Sequence, residues 1–120
     1  MSIRARRLQA DYDEIRTGFD HHPWIQVRPN NSSPPDGYTI VYTISGIEKS
    51  TGGRIVERVR HEVEMKVPVD FPRGAPISTI KTPIWHPNFS RNTICIGDHW
   101  SAAERLSHLI ARIGEMISYQ

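Results

Sequence analysis

The chain has 120 residues, a net charge of +2 and a single cysteine. That length buries a core without staples and leaves no room for a second one, so one domain over residues 1–120 is expected. No apolar run approaches a membrane span, MSIRARRLQ has charge but no apolar run behind it, and one cysteine forms no internal disulfide; a cytoplasmic protein with no membrane association follows.

In chain order, the first element is a helix over about Ile3 to Phe19. Leu8, Tyr12, Ile15 and Phe19 recur at steps of four, three and four on one face, with charged residues filling the remaining positions. It stops before Asp20 and a His-His-Pro turn. A short strand follows at Trp24–Val27, then the turn-rich loop PNNSSPPDG, whose Pro, Asn and Gly favour tight turns. Tyr38–Ile44 alternates as a half-buried strand, and EKSTGG reads as a hairpin connection.

Val59–Val69 is the clearest strand. Val59, Val63, Met65, Val67 and Val69 share one parity and Arg60, Glu62, Glu64 and Lys66 the other, so one face meets water. His61 falls on the apolar side, where a core or rim histidine is expected rather than a ligand. A further strand is expected near Ile77–Lys81. Leu106, Leu109, Ile110, Ile113, Met116 and Ile117 then form the wide apolar stripe of a second helix. Its start is marked by Ser101-Ala102-Ala103-Glu104, the spacing of a capping box. Helix, antiparallel meander, irregular loop and helix make an α+β architecture with the helices on one side of the sheet.

The irregular stretch TPIWHPNFSRNTICIGDHWS holds Cys95, two of three tryptophans and two of six histidines. Loops on a rigid scaffold concentrate functional groups, yet a free cysteine is often a small buried hydrophobe. Flanking Ile94 and Ile96 would anchor an extended segment while Cys95 faces the other way. His86, Cys95, Asp98 and His99 are all of metal-ligand type, but no Cys-x-x-Cys or His-x-x-x-His pair is present and no metal is expected. No phosphate-binding glycine loop or dinucleotide fingerprint calls for a cofactor. The aromatics do not alternate with a basic stripe, so nucleic acid is not an expected partner. The residues alone leave Cys95 open between apolar filler, metal ligand and nucleophile served by His86 or His99.

The ordered set His86-Pro87-Asn88, Phe89, Ile94-Cys95 and Trp100-Ser101 resembles the active-site region of ubiquitin-conjugating enzymes. The resemblance extends upstream through Phe71-Pro72, Ala75-Pro76 and Thr82-Pro83-Ile84-Trp85, and so covers nearly the whole chain. It departs in a shortened interval from Asn88 to Cys95, in Thr93 where Gly is frequent, in a shortened run from Cys95 to Trp100, and in Ala102 where Pro is usual. With the chain ending at Gln120, the resemblance implies a truncated ubiquitin-conjugating fold: an N-terminal helix, a four-stranded antiparallel meander, an active-site loop and one following helix, without the family's two C-terminal helices.

It also implies an acyltransferase. Cys95 would accept a ubiquitin-like protein from an activating-enzyme-like protein and pass it to an amine on a target protein. Asn88, Asp98 and His99 would be catalytic, His86 and Pro87 would support the loop, and Arg4, Arg6 and Arg7 would dock the activating enzyme. Compact relatives of this type belong to bacterial operons that also encode a deconjugating metalloprotease, some of them antiphage. The alternative is a catalytically inert relative that scaffolds an activating enzyme or a ubiquitin-like protein.

Overall fold

A computed structural model describes residues 1–49, 55–82, 89–90, 93–94 and 100–118. Helix α1 runs Ile3–Phe19, and the Ser2 hydroxyl caps it by accepting from the Ala5 N–H at 3.0 Å. Strands β1 (Ile25–Pro29), β2 (Gly37–Tyr42), β3 (Gly46–Lys49), β4 (Ile55–Arg58), β5 (His61–Lys66), β6 (Ile77–Ile80), β7 (Phe89–Ser90) and β8 (Thr93–Ile94) follow, and α2 spans Leu106–Ile117.

The expected meander is β1-β2-β5-β6, antiparallel throughout, and β8 and β7 extend it at one edge. Strands β3 and β4 form a separate ribbon inserted between β2 and β5, with residues 50–54 of the predicted hairpin connection outside the described residues.

The register explains the two faces. Tyr38, Ile40, Tyr42, Val63, Met65 and Ile80 are buried and pack with Leu8 and Ile15 of α1 and with Leu106, Leu109, Ile110, Ile113 and Ile117 of α2. Thr39, Glu62, Glu64 and Lys66 take the opposite parity and face solvent, so both helices share one side. Gly114 lets α2 come close to β2: a Cβ there would stand 3.2 Å from the Tyr42 ring. The Tyr42 hydroxyl donates to the Ile110 carbonyl at 2.7 Å.

Several sequence expectations shift. The strand predicted over Val59–Val69 runs only from His61 to Lys66, and Val59 and Val69 are 58% and 90% exposed. Pro68 has no N–H for a ladder, and the turn it opens is closed by Phe71 N–H to Pro68 O at 3.1 Å and Arg73 N–H to Asp70 O at 2.9 Å. On α1 the fully buried positions are Leu8, Asp11 and Ile15, while Tyr12 and Phe19 are partly buried, so a carboxylate occupies the stripe expected to be apolar. His61 is a core histidine as expected: fully buried, its Nε2 is 3.0 Å from the Arg58 carbonyl oxygen, and burial lowers its pKa against the opposing pull of that carbonyl.

The capping box does not form. Helix α2 begins at Leu106, its N-cap residue Arg105 makes no side-chain cap, and the Glu104 N–H bonds the main-chain oxygen of Ser101 at 3.0 Å in a separate turn.

Candidate active-site frame

Cys95, His86, Pro87, Asn88, Asp98 and His99 all lie outside the described residues. The structure describes the anchors on either side of them. Upstream, Lys81 N–H bonds Glu62 O at 2.7 Å, and the Thr82 hydroxyl accepts from the Glu62 N–H at 3.1 Å, which ties the chain to β5 just before residue 83. Between them, β8 pairs with β6 through Thr93 opposite Thr79, and Ile94, next to Cys95 in sequence, is buried at 3% exposure. The expectation that Ile94 anchors the segment holds; Ile96 is outside the described residues.

Downstream, Trp100 packs on the core beside Phe71, ring centroids 6.0 Å apart, and its indole N–H donates to the Pro72 carbonyl at 3.0 Å. The aromatic-Pro turn noted in the sequence thus serves as the seat of Trp100.

From Trp100 to α2 the chain is held by polar groups of α1. The Arg7 guanidinium donates to Ala102 O at 2.5 Å and Glu104 O at 2.7 Å, lies over the Phe71 ring at 5.2 Å, and reaches Asp11 Oδ2 at 3.4 Å. Asp11, with no exposed surface, accepts the Leu106 N–H on Oδ1 at 3.2 Å. A carboxylate from another helix therefore supplies the cap that the local sequence lacks, at the end of α2 where the dipole favours negative charge.

Arg105 stands on the other side. Its Nη2 is 3.0 Å from Glu14 Oε2, and its Nε is 3.1 Å from Asp11 Oδ1, close as an ion pair but out of line as a hydrogen bond. Ser107 donates to Glu14 Oε1 at 2.6 Å. Burial raises the Asp11 pKa above the ordinary carboxylate value even against the Leu106 N–H and the two guanidiniums, so desolvation outweighs its partners.

Arg4 also turns inward, its guanidinium donating to the carbonyls of Pro68 at 3.2 Å and Val67 at 3.4 Å. Arg6 is exposed. The three N-terminal arginines are therefore not equivalent: two contact carbonyls of their own chain and one faces solvent.

A sequence model of ubiquitin-conjugating enzymes matches residues 7–120. The chain belongs to the ubiquitin-conjugating enzyme family. Among curated relatives it is similar to Ubiquitin-conjugating enzyme E2-22 kDa of Drosophila melanogaster, 29% identical over 109 residues. That match covers 87% of this chain but 46% of the fly protein, so the chain spans about half the length of that relative.

The fold is shared with solved structures of the family at low identity. A ubiquitin conjugating enzyme E2 from Plasmodium falciparum superposes with a TM-score of 0.72 at 18% identity, covering 96% of this chain and 98% of that one. UbcA1 from Agrocybe aegerita gives 0.70 at 17%, over 100% and 85%, and human E2 G1 gives 0.64 at 16%, over 97% and 93%.

A cavity of about 710 Å³ in this ubiquitin-conjugating fold opens over β1, β2 and β5 and is lined by Arg28, Thr39, Glu64 and Lys66 among others. Among the described residues, Arg4, Arg6 and Arg7 do not line it. Among the described residues no cluster of His, Cys, Asp or Glu is arranged to hold a metal, and no helix is long and apolar enough to cross a membrane. The residues that sequence reasoning missed are Asp11 and Arg105. Asp11 had a signal, a charge three residues after Leu8 inside an apolar stripe; Arg105 had none.

Proposed function

We propose that this chain accepts a ubiquitin-like protein as a thioester on Cys95 from an activating enzyme and transfers it to an amine on a target protein. The observation that carries this reading is the family match over residues 7–120, in a chain whose only cysteine follows His86-Pro87-Asn88 and precedes Trp100-Ser101. The described anchors at Thr82, Ile94 and Trp100 support it, because a reacting group needs a fixed frame around it.

The chemistry balances without a cofactor. The Cys95 thiolate attacks the thioester carbonyl on the activating enzyme and expels that enzyme's thiolate. Breaking one C–S bond and forming another is nearly even in energy, and an ordinary thiol is already a few per cent thiolate at neutral pH. The neutral target amine then attacks the Cys95 thioester; a C–N bond forms, the C–S bond breaks, and the amine proton passes to a base. In this reading Asn88 donates to the developing oxyanion or braces the loop, where an oxyanion donor typically contributes about 3 kcal/mol. Asp98 and His99 serve the incoming amine, and His86 and Pro87 hold the loop. Of the three N-terminal arginines, Arg6 has its charge open to solvent and faces the activating enzyme, while Arg4 and Arg7 engage carbonyls of their own chain. The compact chain resembles the conjugating-enzyme-like proteins of bacterial operons, and we place the protein in the cytoplasm, in an antiphage operon with a deconjugating metalloprotease.

The test is a charging reaction with the activating enzyme, ATP and the ubiquitin-like protein, run on gels with and without reductant. An adduct that reductant removes from wild type, and that becomes reductant-stable in Cys95→Ser, is expected. No adduct, with the activating enzyme itself charged, would instead favour an inert scaffold.

A further inference from the structure

Arg7 carries more contacts than a docking charge requires. One guanidinium takes two main-chain carbonyls of the segment after Trp100, Ala102 O at 2.5 Å and Glu104 O at 2.7 Å, while its Nε reaches Asp11 and its plane lies over Phe71, the ring that seats Trp100. Its side chain is 19% exposed. A planar fork of fixed donors holds two carbonyls in orientation as well as position, which a single ammonium cannot do.

We infer that Arg7 is a positioning residue for the acyl-transfer step: it fixes the segment Trp100–Arg105, and with it the downstream end of the stretch that carries Cys95. The inference rests on the reading of Cys95 as the acyl carrier. Cys95 is five residues from Trp100, a reach of at most roughly 18 Å in extended chain, so the anchor and the thiol are bound by a short tether. The other tether is shorter still, because Ile94 is buried in the core. Losing Arg7 releases the Trp100 end of that tether, and displacements of about 1 Å cost up to about a hundredfold in an aligned reaction.

This role separates from docking in the readout. A rim charge acts on encounter with the partner, so its removal raises the activating-enzyme concentration that half-saturates charging and changes its salt dependence. A positioning residue acts after encounter, on the rate at which the loaded thioester discharges.

The experiment uses the full chain as wild type, Arg7→Ala, Arg7→Lys and Arg16→Ala, each at a temperature where circular dichroism shows it folded. Single-turnover discharge of the Cys95 thioester to free lysine is measured beside charging titrated with activating enzyme, and amide exchange of residues 100–106 is followed with no partner present. Arg7→Ala is expected to discharge about tenfold more slowly at unchanged half-saturation and to exchange faster over 100–106, Arg7→Lys to recover only part of the rate, and Arg16→Ala to match wild type. Normal discharge in Arg7→Ala, or unchanged exchange over 100–106, overturns the role while leaving the conjugating reading intact. A wild-type chain that takes no acyl group from a charged activating enzyme overturns the conjugating reading, and this role with it.

Discussion

Where α2 lies on the sheet the contact is dry: Leu106, Leu109, Ile110 and Ile113 have no exposed surface and meet inward residues of β2 and β5. Where the start of the same helix meets α1 the contact is ionic, built from Arg7, Asp11, Arg105, Glu14 and Ser107. The dry contact is non-directional and proportional to the area it hides. The ionic one is directional and depends on which atoms face each other. The first holds the helix down, and the second sets where along the chain it begins.

The largest expected effect breaks the dry contact. Ile113→Ala removes buried methyl groups under a helix that cannot fully collapse, and should cost about 3 kcal/mol in urea unfolding with the slope unchanged. Breaking the ionic contact depends on how it is broken. Asp11→Ala leaves the Leu106 N–H without its acceptor and two guanidiniums without their shared carboxylate, and should cost about 2 kcal/mol. Asp11→Asn keeps an acceptor and removes a charge whose burial is unfavourable, so it should cost less than half as much in the same measurement. Equal losses from the two variants would mean that the charge, not the cap, holds the junction.

One polar bond lies inside the dry region and sharpens the contrast. Tyr42→Phe removes the donor to Ile110 O without opening a cavity, for an expected loss of about 1 kcal/mol.

The smallest effect is a pH dependence from His61. Burial lowers its pKa in the folded state below the ordinary value of 6.5, so the unfolded chain binds the proton first. Its contribution is therefore complete above about pH 6.5 and declines as pH falls below it. His61→Leu should flatten that part of a stability–pH curve; an unchanged slope would place its origin elsewhere.

Much of the dry half was legible in sequence. The α2 stripe and the alternation from His61 to Val67 depend on periodicity, which is local, and the apolar parity that predicted them is the parity found buried. The ends of β5 were not legible: Val59 and Val69 both continue the parity, yet pairing begins only at His61, and the turn at Pro68 has bent the chain away before Val69. Nor was the ionic half. Ser101 and Glu104 have capping-box spacing, but the cap that wins is a carboxylate 95 residues upstream of the amide it caps, and a sequence motif says nothing of a competitor that arrives through space. The motif residues of the candidate site, Cys95 among them, were legible as residues, and their family is shown by the match over 7–120.

The sequence by itself thus determined the α+β class, the inward face of α2 and the family, since each follows from periodicity or from an ordered set of residues along the chain. Only the tertiary structure decided what Arg4, Arg7 and Asp11 do. All three read as surface charges on a solvated helix, yet Arg7 and Asp11 hold the chain entering α2 and Arg4 holds the turn after β5. A charge has no periodic signature, and its role is set by the carbonyls and carboxylates that folding brings within about 3 Å of it.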